Sequence, residues 1–335
     1  MINIAQIGVG YWGPNLLRNL VANKRCKAAV AVDLSGERRD YVCGLYPTIK
    51  VTDSVEDVLR NSEIDAVVIA TPVATHFDLS LRALESGKHI FVEKPMARTV
   101  IEVERIGEMA NKMNKVAMVG HTFLFNNAVR YVKRMIESGE LGDVRYIYSQ
   151  RLNLGRIRSD VDALWNFAPH DISIIQYWLG DPLPLSVIRR GVGYIQEDID
   201  DVVFVNILYP NKVMANIHVS WLDPHKVRSM VVVGSKKMVA YDDLAENKIA
   251  IYDKGIDQKA VLGQNMDYDN QHFPTFSHRS GDVLLPKIDF KEPLKVELDH
   301  FIDCIEKRIE CITGIDHAKK VVHILSSVDS SDRCA

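Results

Sequence analysis

Ile2-Asn3-Ile4-Ala5-Gln6-Ile7-Gly8-Val9-Gly10-Tyr11-Trp12-Gly13-Pro14 opens the chain, and its reading decides the fold. Ile2–Ile7 is a strand pattern. Gly8, Gly10 and Gly13 follow at Gly-x-Gly-x-x-Gly spacing, and Pro14 falls where the first turn of a helix tolerates proline. A strand, a glycine turn and a helix in that order make a dinucleotide cradle. Gly8 permits the tight turn, Gly10 lets the backbone approach a pyrophosphate, and Gly13 lets helix and strand pack closely. The phosphates would meet free N–H groups at the helix start. Asp33 ends the next apolar run, Ala28–Val32, about 20 residues on, where a carboxylate can bind the adenosine ribose. It would repel a 2′-phosphate, which favours NAD, while Arg38 and Arg39 keep NADP open. Tyr11 and Trp12 either fold over the dinucleotide or pack on the helix.

Outward from this turn, short Val, Ile and Ala runs alternate with amphipathic segments as far as Gly120. That is the pattern of a parallel sheet buried on both faces. Further strands are expected at Ala66–Ala70, His89–Val92 and Val116–Val119. Thr99 with Glu102 forms a capping box, and Ser54 with Asp57 a weaker version of one. Gly87 ends the helix that carries Leu81 and Leu84. Beyond Gly120 a helix is expected over 128–138, and then the period changes to two. Val144–Tyr148, Val203–Ile207 and Val213–Trp221 read as half-exposed antiparallel strands, which Ser229–Ser235 and Lys237–Tyr241 continue. The stretch 255–289, rich in Asp, Gly, Asn and His, reads as a long loop. Two closing helices carry Leu294, Leu298 and Phe301, and Val321, Val322 and Leu325.

The expected fold class is therefore α/β. An N-terminal Rossmann dinucleotide-binding domain spans 1–120. A C-terminal α+β domain with a large, mainly antiparallel open sheet spans 121–335, its final helices packing back on the first domain. The outer face of that sheet, with Trp221 among its apolar residues, is the expected surface for a homodimer or homotetramer.

Composition narrows the function classes. The 335 residues carry a net charge of −3, which gives no global field for nucleic acid or an anionic membrane. No apolar run approaches the ~20 residues that span a bilayer. The first strand begins where a signal peptide would lie, so a cytoplasmic protein is expected. Cys26, Cys43, Cys304, Cys311 and Cys334 show no close metal-type spacing, although Cys304 and Cys311 fall on one helix face, and no metal site is expected. His300 and Asp303, like His317 and His323, read as solvated positions.

Glu93-Lys94-Pro95 ends a strand at the sheet edge where open α/β folds bind ligands, as does Thr71-Pro72. These segments, with His76, Gly87-Lys88-His89, the Gly8–Gly13 turn and Trp165-Asn166-Phe167-Ala168-Pro169-His170-Asp171-Ile172, resemble the glucose–fructose oxidoreductase / inositol dehydrogenase / MocA (Gfo/Idh/MocA) family over essentially the whole chain. The resemblance implies a dehydrogenase acting on a CH–OH group. Lys94 and His170 match its active-site lysine and histidine. Thr71, Pro72, His76 and Glu93 line its cofactor site. Where the family has Asp four residues before the histidine, this chain has Asn166, which cannot exchange a proton. Gly10–Asn19 and Leu164–Asp171 are further similar to the branch of nucleotide-sugar 3-dehydrogenases, with UDP-N-acetylglucosamine as the implied substrate.

In that reading His170 is the base, because imidazole titrates near neutrality. Lys94 stabilises the developing oxyanion. Asn166 either holds the substrate or orients His170, Trp165 contacts the sugar, and Arg151, Asn153, Arg156 and Arg158 are candidates for the diphosphate. The alternatives are a dehydrogenase or keto-reductase of a free sugar, cyclitol or other sugar nucleotide, or a non-catalytic NAD(P)-sensing protein.

Overall fold

A computed structural model describes residues 1–259 and 275–327. The chain begins with β1 (Ile2–Ile7), α1 (Gly13–Ala22), β2 (Cys26–Val32), α2 (Gly36–Leu45), β3 (Lys50–Thr52), the single turn α3 (Glu56–Leu59) and β4 (Ala66–Ile69). It continues with α4 (His76–Glu85), β5 (His89–Glu93), α5 (Val100–Met113) and β6 (Ala117–Gly120). The strands form a parallel sheet in the order β3-β2-β1-β4-β5-β6. This is the doubly wound order expected from the glycine turn. Crossovers diverge between β1 and β4, so a crevice opens at the carboxyl ends of those two strands.

Burial explains why these residues became strands. Val67, Ile69, Ile90, Val92 and Val119 are fully buried in one cluster with Val103, Ile106 and Ala110 of α5. Thr99 caps α5 by accepting from the Glu102 N–H, and Glu102 reaches back to the Thr99 N–H at 3.0 Å. The weaker box does not form. Ser54 is not a cap; its N–H donates to Thr52 Oγ1, whose hydroxyl donates to Asp57 at 2.6 Å.

The chain then runs through α6 (Asn127–Glu137), β7 (Val144–Leu154), α7 (Ala163–Leu179), β8 (Ser186–Val192), β9 (Val202–Leu208), β10 (Met214–Ser220), β11 (Leu222–Gly234) and β12 (Met238–Asp242). β13 (Ile249–Lys259), β14 (Thr275–Leu284), α8 (Pro293–Glu306) and α9 (Ile315–Ser327) complete the described chain. The second sheet is ordered β14-β13-β12-β11-β7-β10-β9-β8. Its pairings are antiparallel except β7 with β10. One face is buried through Ala215, Ile217, Val219, Val203, Val205 and Ile207, while Met214, Phe204 and Leu208 are exposed.

Two expectations need correcting here. Trp221 does not lie on the outer face: it is fully buried, and its indole N–H donates to the buried carboxylate of Asp201. The stretch 255–289 is not one loop, because β13 runs to Lys259 and β14 begins at Thr275. The part of it over 260–274 lies outside the described residues, as does Cys334.

By contacts the chain forms two compact units, each assembled from separated segments. The first contains Met1–Asn126, Leu164–Asp181 and Phe290–Ala335; the second contains Asn127–Ala163 and Pro182–Asp289. Helix α7, apart from its first residue, thus belongs with the parallel sheet.

Candidate active site

At the crevice the backbone sets the shape. Gly8 has φ +95°, and a Cβ there would stand 2.5 Å from the Ala70 carbonyl oxygen, across the β1–β4 switch point. A Cβ on Gly13 would meet the Gly8 oxygen at 2.6 Å, whereas around Gly10 there is open space. The turn is pinned from below by Gln6, whose buried amide donates to the Gly8 and Gly13 carbonyls at 2.9 and 2.8 Å. Gln6 was not singled out from sequence, yet a polar residue between Ala5 and Ile7 in a fully buried strand was the available signal. The N-cap residue of α1, Trp12, makes no side-chain cap to its opening N–H groups. A small concave turn above uncapped amides at a helix start fits a diphosphate.

Asp33 accepts from the Val9 N–H at 2.7 Å and from the Ser35 N–H at 2.9 Å. The carboxylate therefore stands at the lip of the glycine turn, and its remaining lone pairs can accept from ribose hydroxyls. Arg38 is exposed on the first turn of α2. Arg39 bends back and donates to the carbonyls of Asp33 and Leu34 at 2.7 and 3.0 Å. Tyr11 does not pack on the helix, being 87% exposed, while the Trp12 indole reaches the Glu93 carboxyl.

Thr71 and Pro72 follow β4. Thr71 Oγ1 is 2.7 Å from Thr75 Oγ1, and Thr75 donates to the Pro72 carbonyl at 2.9 Å. His76 is buried and spans two loops: Nε2 lies 2.9 Å from the Thr71 carbonyl and Nδ1 lies 2.8 Å from the Pro95 carbonyl. Each ring nitrogen thus faces a backbone carbonyl, and in the neutral ring one of the two carries the donating N–H. His76 holds the loop after β4 to the loop after β5 and, in this geometry, offers no nitrogen to a ligand. Burial, with a smaller push from Lys94, lowers its pKa.

Glu93 ends β5 opposite Gly120 of β6. The Lys94–Pro95 peptide is cis. Glu93 Oε2 accepts weakly from the Lys94 N–H at 3.3 Å, and Oε1 is buried with no hydrogen-bond partner among the described residues. Burial raises the Glu93 pKa to about 7, although Lys94 and Trp12 favour its charged form. A second carboxyl, Glu297 of α8, is wholly buried nearby. It accepts from Thr122 Oγ1 at 2.7 Å, and burial, then the charge of Glu93, holds its pKa well above the usual range.

Lys94 Nζ donates to the main-chain carbonyl of Asn166 at 2.9 Å. Asn166 lies in α7, which contains Pro169. Proline removes one helix N–H and loosens the preceding turn. His170 is four residues further, on the same helix face. Its ring packs edge-on against Phe123 with centroids 4.9 Å apart. Lys94 and His170 therefore belong to the same compact unit, one from the sheet edge and one from α7. They do not come from different halves of the molecule, as a boundary at residue 120 had implied. Asn166 is engaged through its backbone, and Trp165 is half-buried at the start of the same turn.

His317 is not a surface residue. It is buried, with Nδ1 at 2.9 Å from Asp181 Oδ1, and its ring meets that of buried His121 at 5.2 Å. His121 follows Gly120 and so neighbours Lys94 across the β5–β6 register. Burial, with smaller pushes from His317 and Lys94, keeps its pKa well below the ordinary value.

The diphosphate candidates lie in the second unit. Arg151 is buried in β7, Asn153 is half-buried and Arg156 is exposed. Arg158 forms a two-pronged pair with Asp160 at 2.8 and 2.5 Å, an arrangement that occupies its fork.

Comparisons with known proteins agree with this fold. Residues 2–121 match the model of an oxidoreductase family with an NAD-binding Rossmann fold, and residues 129–240 match the GFO/IDH/MocA C-terminal domain. The scyllo-inositol 2-dehydrogenase (NAD(+)) of Bacillus subtilis (strain 168) is 26% identical over 329 residues, covering 94% of this chain and 90% of that one. The UDP-N-acetylglucosamine 3-dehydrogenase of Acidithiobacillus ferrooxidans is 27% identical over 256 residues, covering 74% of this chain and 76% of that one. A solved structure of the latter superposes with a TM-score of 0.79 over 98% of this chain and 96% of its own. GenD2 from gentamicin A biosynthesis, in complex with NAD, superposes at 0.81 with 19% identity, covering 98% of this chain and 93% of its own, a likeness of fold. No helix among the described residues is long and apolar enough to cross a membrane.

Proposed function

The chain belongs to the Gfo/Idh/MocA family of NAD-binding oxidoreductases, and from that premise we propose that it oxidises a secondary alcohol of a nucleotide sugar, at C3 of a substrate such as UDP-N-acetylglucosamine. The observation that carries the reading is the Lys94 ammonium seated on the Asn166 carbonyl, one helical turn from His170, at the carboxyl edge of the parallel sheet. The Gly8–Gly13 turn and the α1 amides hold the diphosphate of NAD, and Asp33 takes the adenosine ribose. NAD⁺ supplies the hydride acceptor. The chain's own groups handle the proton. His170 removes it from the hydroxyl as the hydride leaves, and Lys94 donates a hydrogen bond to the oxygen on which negative charge grows. Asn166 adds no charge to this pair. Arg151, Asn153, Arg156 and Arg158 remain candidates for the substrate diphosphate, with Arg156 the most accessible of them.

A second reading, oxidation of a cyclitol, is favoured by the scyllo-inositol 2-dehydrogenase that aligns along nearly the whole chain. The outer face of the second sheet, with exposed Tyr146, Tyr148, Phe204 and Met214, supports self-association into a homodimer or homotetramer in either case. NADH formation with UDP-N-acetylglucosamine and with scyllo- and myo-inositol separates the two readings. Lys94→Met and His170→Asn should each lower turnover roughly 10²–10⁴-fold, the range for a lost proton-transfer or oxyanion group, with NAD affinity retained. Normal turnover in either variant would overturn the assignment.

A further inference from the structure

One cluster of ligating side chains has no part in the chemistry above. His300 and Cys304 are four residues apart on α8 and share a helix face. After α8 the chain turns back, and Cys311 returns to the same spot before α9 begins. The ligand atoms of His300, Cys304 and Cys311 all lie within 4.8 Å of one another. Cys304 Sγ is 3.5 Å from His300 Nε2. A tetrahedral zinc ion, with bonds of about 2.3 Å to sulfur and 2.0–2.1 Å to imidazole nitrogen, places those two atoms about 3.6 Å apart. The helical pair is thus already at the separation that a shared ion requires.

The segment that brings Cys311 back is held in place. The Gly314 N–H donates to the Cys311 carbonyl at 3.2 Å, and Arg308 donates to Asn114 Oδ1 at 3.2 Å. Cys304 is buried while His300 and Cys311 are half-buried, so the cluster has a dry floor and an accessible mouth. The Ile312 N–H also points at His300 Nε2, at 3.1 Å. Metal coordination through that nitrogen would give up this one backbone contact, a small loss beside two thiolate bonds and one imidazole bond.

We propose that His300, Cys304 and Cys311 form a binding site for one zinc-class divalent cation, with water in the fourth position. One nitrogen and two sulfurs suit zinc and related soft cations, and the absence of a carboxylate from the set disfavours magnesium and calcium. Binding replaces both thiol protons, which leave to solvent, and the oxidation state of the metal and of the sulfurs does not change. The ion would fasten α8 to the segment that opens α9. Its role would be structural, because neither Lys94 nor His170 belongs to the set. This departs from the expectation of no metal site, which rested on the absence of a short Cys-x-x-Cys pair.

Cobalt(II) is the direct probe. Full-length protein, stripped with chelator and kept under a non-thiol reductant, is titrated with Co²⁺ alone. The expected result is one Co²⁺ per chain, with intense sulfur-to-cobalt charge-transfer absorption that Zn²⁺ removes stoichiometrically. Cys304→Ser and Cys311→Ser should each weaken binding at least tenfold, while Cys43→Ser, at an exposed cysteine, should not. Circular dichroism establishes that each variant is folded; were Cys304→Ser unfolded, Cys311→Ser and His300→Ala carry the same test. Absence of charge-transfer absorption in the folded wild type overturns the proposal. So does equal cobalt binding by a folded Cys311→Ser variant.

Discussion

Replacing Glu93 by glutamine should change how stability depends on pH, and the direction is fixed by the site. Burial moves the Glu93 carboxyl from 4.5 to about 7 in the folded chain. The folded state therefore holds this proton more tightly than the unfolded state does. The associated stability is fully present below pH 4.5 and is lost as pH rises through about 7. At 1.36 kcal/mol per pKa unit, the shift corresponds to about 3 kcal/mol of stability at low pH that is absent above neutrality. The groups that set this balance are Lys94 and Trp12, which favour the anion, and the burial that opposes it. Glutamine keeps the shape and the acceptor oxygen but cannot ionise. Urea denaturation of wild type and Glu93→Gln at pH 5 and pH 8.5, with the difference of differences taken, reads this carboxyl together with the neighbours that feel its charge, Lys94 and Glu297. Wild type should lose about 2–3 kcal/mol relative to the variant across that interval. Parallel pH dependences would refute the reasoning. A wild type that gains on the variant as pH rises would show that Glu93 is held as an anion by Lys94.

Gly8→Ala should cost roughly 2–4 kcal/mol, from overpacking against the Ala70 carbonyl plus a positive φ, and should abolish NAD binding; thermal melting with and without NAD reads both. In the second unit, Asp201→Ala removes the shared acceptor of the Trp221 indole and of the Tyr194 and Ile195 N–H groups. With three donors left behind it, roughly 3 kcal/mol or more should be lost in urea melts, and an unchanged midpoint would show that the donors find other acceptors.

The first unit was the more legible in sequence, for a physical reason. A buried parallel strand has to be apolar on both faces, and the turn that follows β1 has to be glycine, so β1, β4, β5 and β6 stand out. β3 does not, because Lys50–Thr52 is too short for any period to show. β8 is partly exposed on both faces and lies at a sheet edge, so it lacks a clean alternation. β14 carries His278, Arg279 and Asp282 along the opposite edge, where solvent tolerates charge, and it therefore reads as loop. Of the candidate site, Gly8, Asp33, Lys94 and His170 were singled out by motif. The engagement of the Asn166 carbonyl, Gln6 beneath the turn, and the buried His121–His317 pair with its partner Asp181 depend on which helix packs on which strand end, and spacing along the chain does not encode that. Trp221 shows the same limit: alternation puts it on one face with Ala215, Ile217 and Val219, but only the fold shows that this face is the buried one.

The interleaving of the two units bears on how the chain can be made and cut. The nucleotide-binding sheet is complete by Gly120, yet its compact unit also includes α7 and the pair α8–α9, which leave the ribosome much later. A fragment ending near residue 126 would expose the apolar surfaces of Phe91 and Phe125 that α8 otherwise shields through Phe301 and His300. Such a fragment should be insoluble when expressed alone, and during synthesis this surface waits for the last part of the chain to arrive.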